Sequence, residues 1–109
     1  MFNTAQELAA DIARELREHP ERWTTGSAAR DSAGNPTASV DPRAVCWCLF
    51  GHIVKRRDER AGFIPNDLLE PFFAAAGLSW DVDGFDEIND NGTVSDIIAI
   101  CDKVAALNS

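Results

Sequence analysis

Apolar residues recur at helical spacing near both ends of the chain and lose that rhythm in between. Leu8, Ile12 and Leu16 lie four apart behind Thr4-Ala5-Gln6-Glu7, a capping-box pattern, and predict a first helix ending near His19-Pro20. Its opposite face, with Asp11, Arg14, Glu15 and Glu18, reads as solvated. From Trp23 to Val40 the composition shifts to Thr, Ser, Ala and Gly, and Asp31-Ser32-Ala33-Gly34-Asn35-Pro36 forms a dense turn signal between two short candidate strands. This segment is expected to be a small hairpin or an irregular loop resting on the helices, with Trp23 as its anchor.

Asp41-Pro42 matches an N-cap followed by proline at the first helical position, and the residues from Arg43 to Val54 are apolar almost all round. That pattern predicts a buried helix at the centre of the domain, with Val45, Leu49 and Ile53 in the core and Lys55-Arg56-Arg57 emerging at its C-terminal end. Gly51 inside it predicts a close contact, because glycine in a helix costs roughly 1 kcal/mol against alanine. Asn66 to Gly77 reads as a short helix capped by Asp67 and closed by Gly77, with Pro71 in or just after its first turn. Trp80 to Gly92 reads as an acidic loop with room for one helical turn around Phe85-Asp86-Glu87-Ile88. Thr93 with Asp96 caps a last helix whose stripe is Val94, Ile97, Ile98, Cys101, Val104 and Ala105. The expected fold is mainly α with minor β: one domain over residues 1–109, a compact bundle of about four helices with a small hairpin or loop after the first.

A length of 109 residues with 45% hydrophobic content suits a single modest core. No apolar run reaches the roughly 18 residues that span a bilayer, and Met1 to Glu7 lacks the basic-then-apolar order of a secretory leader, so a cytoplasmic protein is expected. Three cysteines cannot all pair; Cys46 and Cys48, two apart on the expected helix, would diverge, which points to reduced thiols.

The net charge of −8 is unevenly placed. Residues 1–60 hold nine acids and nine bases, whereas Ala61 to Asp102 holds nine acids and no Lys or Arg, with Lys103 alone after it. Such a half disfavours direct binding to nucleic acid, whose phosphates need basic contacts. Asp81, Asp83, Asp86, Glu87 and Asp90 are its densest part and the candidate partner-binding residues, suited to a basic protein, itself a nucleic-acid binder for example.

Trp23-Thr24-Thr25-Gly26, the stretch from Ala44 to Ile53 and Ile88-Asn89-Asp90 together resemble a family of small bacterial and phage proteins of unknown function. In that family a tryptophan follows the first helix, an Ala/Cys/Trp-rich middle helix ends in Gly-x-Ile, and an Asn-Asp pair precedes the last helix. This chain carries Ile88 where the family pattern has tryptophan. The resemblance spans roughly residues 8–107 and implies an architecture and a mobile-element setting, with no catalytic residue.

Four other constellations have plainer readings beside the functional ones. Cys48 and His52 on one helical face, with Cys101 on another helix, offer three soft ligands for zinc, but no cysteine pair has the usual ligand spacing, and buried packing groups explain all three. A thiol nucleophile needs a positioned base; Cys46 falls more than one turn inside the expected helix, His52 points elsewhere on that helix, and His19 sits at a helix end beside a proline. Ser79 to Asp90 can be laid on a twelve-residue calcium loop, yet it starts with Ser79 and ends in the short Asp90. Lys55-Arg56-Arg57-Asp58-Glu59-Arg60 is short and interrupted for a phosphate patch, and helix termination explains it. The reading is therefore a non-enzymatic acidic interaction module needing no metal or cofactor, the alternative being a small-ligand or calcium-binding domain.

Overall fold

A computed structural model of the protein describes residues 4–57, 66–78 and 92–107. Among them the chain is mainly α with minor β. Helix α1 spans Ala5–Glu18, a 3-10 turn covers Pro20–Arg22, strands β1 (Ala29–Asp31), β2 (Pro36–Thr37) and β3 (Ala44–Trp47) follow, and helices α2 (Leu49–Arg57), α3 (Asn66–Ala75) and α4 (Val94–Ala105) complete the fold.

The two terminal helices form where local chemistry requires them. The Thr4 hydroxyl accepts from the Glu7 N–H while the Glu7 carboxylate accepts from the Thr4 N–H, and Thr93 with Asp96 repeats this box at α4. Leu8, Ile12 and Leu16 are fully buried against Ile97, Cys101 and Val104, with Leu68, Phe72 and Phe73 of α3 and Leu49, Ile53 and Val54 of α2 closing the core. Asp67 lies inside the first turn of α3 rather than capping it, Pro71 stands within the helix, and Gly77 at φ 75° closes it.

The middle of the chain departs from the expected central helix. Residues 44–47 are a strand, and the helix begins only at Leu49. Antiparallel β1 and β2 form the hairpin, with Asp31 holding the turn through the N–H groups of Ala33 and Asn35, and β3 adds to the other side of β1 in the order β2-β1-β3. Ala29 faces Trp47 and Arg30 faces Cys46, and the register slips at Arg30/Asp31, which leaves Val45 on the bulged side and 47% exposed, outside the core. Asp41 terminates a turn instead of starting a helix: its carboxylate accepts from the Arg43 N–H at 2.8 Å. A short apolar run fits a strand as well as a buried helix, and here pairing with β1 decides.

The hub of the fold is accordingly α1, which packs on α2, α3, α4 and the 3-10 turn. Gly51 is the close contact expected of it, since a Cβ there would sit 2.1 Å from the Ala28 carbonyl oxygen at the entry to β1.

Candidate functional site

Asp81, Asp83, Asp86, Glu87 and Asp90, and with them the calcium-loop reading and the helical turn near Phe85, lie outside the described residues. In the chain they join the end of α3 to the cap of α4. The described residues instead bring together a set of charges that the sequence placed in solvent.

Glu15 lies on the inner side of α1, 6% exposed, because it is three residues after Ile12 and seven after Leu8. Three cations converge on it: Arg56 Nη2 donates to Oε1 at 2.6 Å, and Lys55 Nζ and Arg22 Nη1 donate to Oε2 at 3.0 and 3.2 Å. Arg56, itself buried, also donates through Nε to Asp11 at 2.9 Å. Lys55 and Arg56 stand in the last turn of α2, as the sequence predicts, but their side chains fold back and fasten α2 to α1. Burial would raise the Glu15 carboxyl, but hydrogen bonds from Lys55 and Arg56 overcome that and hold it at about 2.

His52 completes the cluster. It is fully buried, and its Nε2 stands 2.9 Å from the Arg22 carbonyl, which can only accept, so the proton is on Nε2 and Nδ1 accepts from Arg56 Nη1 at 3.2 Å. Burial, reinforced by the neighbouring Lys55 and Arg56 charges, pushes His52 down to about 3, and it is neutral at pH 7. Lys55 Nζ also lies 3.5 Å over the Trp47 ring centroid, and the Trp47 indole N–H donates to the Ser39 carbonyl at 2.9 Å. Burial lowers the Lys55 amine from its ordinary range.

This arrangement is a structural clasp. Its carboxylate is committed to three cations and its histidine to two partners, so neither is placed to take a proton from a substrate. Of the three soft ligands that the sequence offers to zinc, His52 has both ring nitrogens engaged, and Cys101 is buried in the core, where desolvation pushes its thiol up to about 12. Among the described residues no three His, Cys, Asp or Glu side chains converge as a metal site. Cys46 is on a strand rather than within a helix, and Cys48 stands at the N-terminus of α2, its sulfur accepting from the Gly51 N–H at 3.3 Å.

Among the described residues an open groove of about 380 Å³ lies between α1 and α4. Ala10, Ala13 and Ala105 line it with Arg14, Arg17, Glu18 and Asp102, and its guanidinium groups are already paired, Arg14 with Asp11 and Glu18 and Arg17 with Asp102. Among the described residues no helix is long and apolar enough to cross a membrane. The chain matches no family model, and neither a curated protein nor a solved structure is significantly similar to it.

Proposed function

We propose that the protein is a non-enzymatic, cytoplasmic interaction module that engages a basic protein partner through Asp81, Asp83, Asp86, Glu87 and Asp90. The observation that carries this reading is the 42-residue stretch from Ala61 to Asp102 with nine acids and no base. Support also comes from the other half of the chain, where Arg14, Arg17, Arg22, Arg43, Lys55 and Arg56 are each matched to a carboxylate within the protein. All of these pairs but one lie within residues 1–60, where acids and bases balance, and only Arg17 reaches into the acidic stretch, to Asp102, so the surplus negative charge is left to act on a partner and to steer its approach. The resemblance to small bacterial and phage proteins supports a mobile-element setting for the protein.

The test is capture from a bacterial lysate at low salt with the wild-type chain and with the triple variant Asp81→Asn, Asp83→Asn, Asp86→Asn, followed by association kinetics with the purified partner. The wild type is expected to retain a basic protein whose on-rate falls as salt rises, since exposed charges are screened beyond about 8 Å at physiological ionic strength. The triple variant is expected to associate more slowly with unchanged stability. Equal on-rates for variant and wild type at low salt would refute the proposal.

A further inference from the structure

Three cations of the clasp share two carboxylates. Arg22, Lys55 and Arg56 converge on Glu15, only Arg56 of the three also reaches Asp11, and Asp11 already accepts from Arg14. With His52 neutral, the cluster holds one cation more than its acids balance among the described residues. A guanidinium keeps its charge at any ordinary pH, so Lys55 is the member that can lose it. Lys55 Nζ lies 3.0 Å from Glu15 Oε2 and 3.5 Å over the Trp47 ring centroid. Burial lowers the amine, Glu15 opposes this through its hydrogen bond and charge, and the Arg56 and Arg22 charges lower it further. The Lys55 side chain is 23% exposed against 5% for Arg56, so a small reagent reaches it from the edge of the clasp.

We propose that Lys55 is a modification site, an amine that accepts an acyl group from small acyl phosphates. Desolvation and a neighbouring cation are the two arrangements that make a lysine amine nucleophilic, and the clasp supplies both. The neutral Nζ attacks the acyl carbon. The N–C bond forms as the C–O bond to phosphate breaks, inorganic phosphate leaves with the electron pair, and the surplus proton on nitrogen passes to water. The product amide is uncharged, so Glu15 and Asp11 then face Arg22 and Arg56 alone, two acids with two bases. Acylation thus removes the surplus charge while the two guanidinium links that fasten α1 remain. What it breaks is the Lys55–Glu15 ion pair and the cation–π contact with Trp47.

The experiment treats the full chain with acetyl phosphate at pH 8 and follows Lys55 and Lys103, its only lysines, by peptide mass spectrometry. Lys103, exposed in the last turn of α4, is the internal reference. In the folded chain Lys55 is expected to acetylate at least about threefold faster than Lys103, a preference that shrinks in urea, where the clasp is gone. Arg22→Gln removes one neighbouring charge from the more exposed side of the clasp and is expected to cut the preference at least about twofold, with circular dichroism verifying its fold. The chain acetylated at Lys55 is expected to keep its helical signal. Lys103 reacting as fast as Lys55 in the folded wild type would overturn the proposal. So would a preference that persists undiminished in urea or in folded Arg22→Gln, or loss of the helical signal once Lys55 is acetylated.

Discussion

Replacing Glu15 by glutamine isolates the charge of the clasp while keeping its shape. The amide cannot satisfy three cations, and Arg56, with its side chain 5% exposed, is left with only Asp11 as a carboxylate partner. Breaking a buried pair from one side costs about 3–5 kcal/mol, and because Lys55 and Arg22 can turn toward water, the lower end applies. Proton linkage gives a second figure. A carboxyl held at about 2 in the folded chain against an ordinary 4.5 corresponds to about 3 kcal/mol, at 1.36 kcal/mol per tenfold change in proton affinity. The folded-state value is the depressed one, so this stability is present in full above about pH 4.5 and is lost as pH falls through about 2. Urea unfolding of wild type and Glu15→Gln should differ by about 3 kcal/mol at pH 7 and by less than half of that at pH 3. A difference below about 1 kcal/mol at pH 7, or one that is the same at both pH values, would refute the claim that buried charge fastens α1 to α2.

Three further outcomes follow from the same structure. His52, pushed down to about 3 from 6.5, should show no ring titration by NMR between pH 8 and 5; the unfolded chain takes up its proton first, so stability should fall by about 2 kcal/mol from this group over that range, and a midpoint near 6.5 would contradict the clasp. Leu49→Ala should destabilise by about 2–5 kcal/mol and Val45→Ala by under about 0.5 kcal/mol, and denaturant unfolding showing equal losses would restore the helix expected over residues 42–54. Gly51→Ala should destabilise by about 1–3 kcal/mol despite the better helix propensity of alanine, since its Cβ would overlap the Ala28 carbonyl, and a thermal melt showing stabilisation would remove that contact.

The clasp was partly legible in advance. Glu15 shares the spacing of Leu8 and Ile12, and a carboxylate on an apolar stripe signals a buried partner, yet reading Asp11, Arg14, Glu15 and Glu18 as one solvated face concealed it. Which cation answers it could not be read, because Lys55 and Arg56 lie some forty residues away. His52 was legible as a hydrogen-bonded core residue from its apolar neighbours, though its partners were not.

The sequence by itself determined the elements whose hydrogen bonds close within a few residues: α1 and α4 with their Thr-Glu and Thr-Asp capping boxes, the Asp31 turn, the end of α3 at Gly77 and the mainly α class. It also determined the charge asymmetry, which needs no coordinates. Tertiary structure alone decided the stretch from Arg43 to Cys48. There Asp41-Pro42 and the apolar run suit a buried helix and a short strand alike, and the choice falls to β1, sixteen residues upstream of Cys46, whose open edge takes residues 44–47 into the sheet and delays α2 to Leu49. The same displacement moved Val45 to the surface and swung Lys55 and Arg56 onto α1. Helical periodicity and caps are written in neighbouring residues, whereas strand pairing and buried ion pairs depend on partners that only the folded chain brings near.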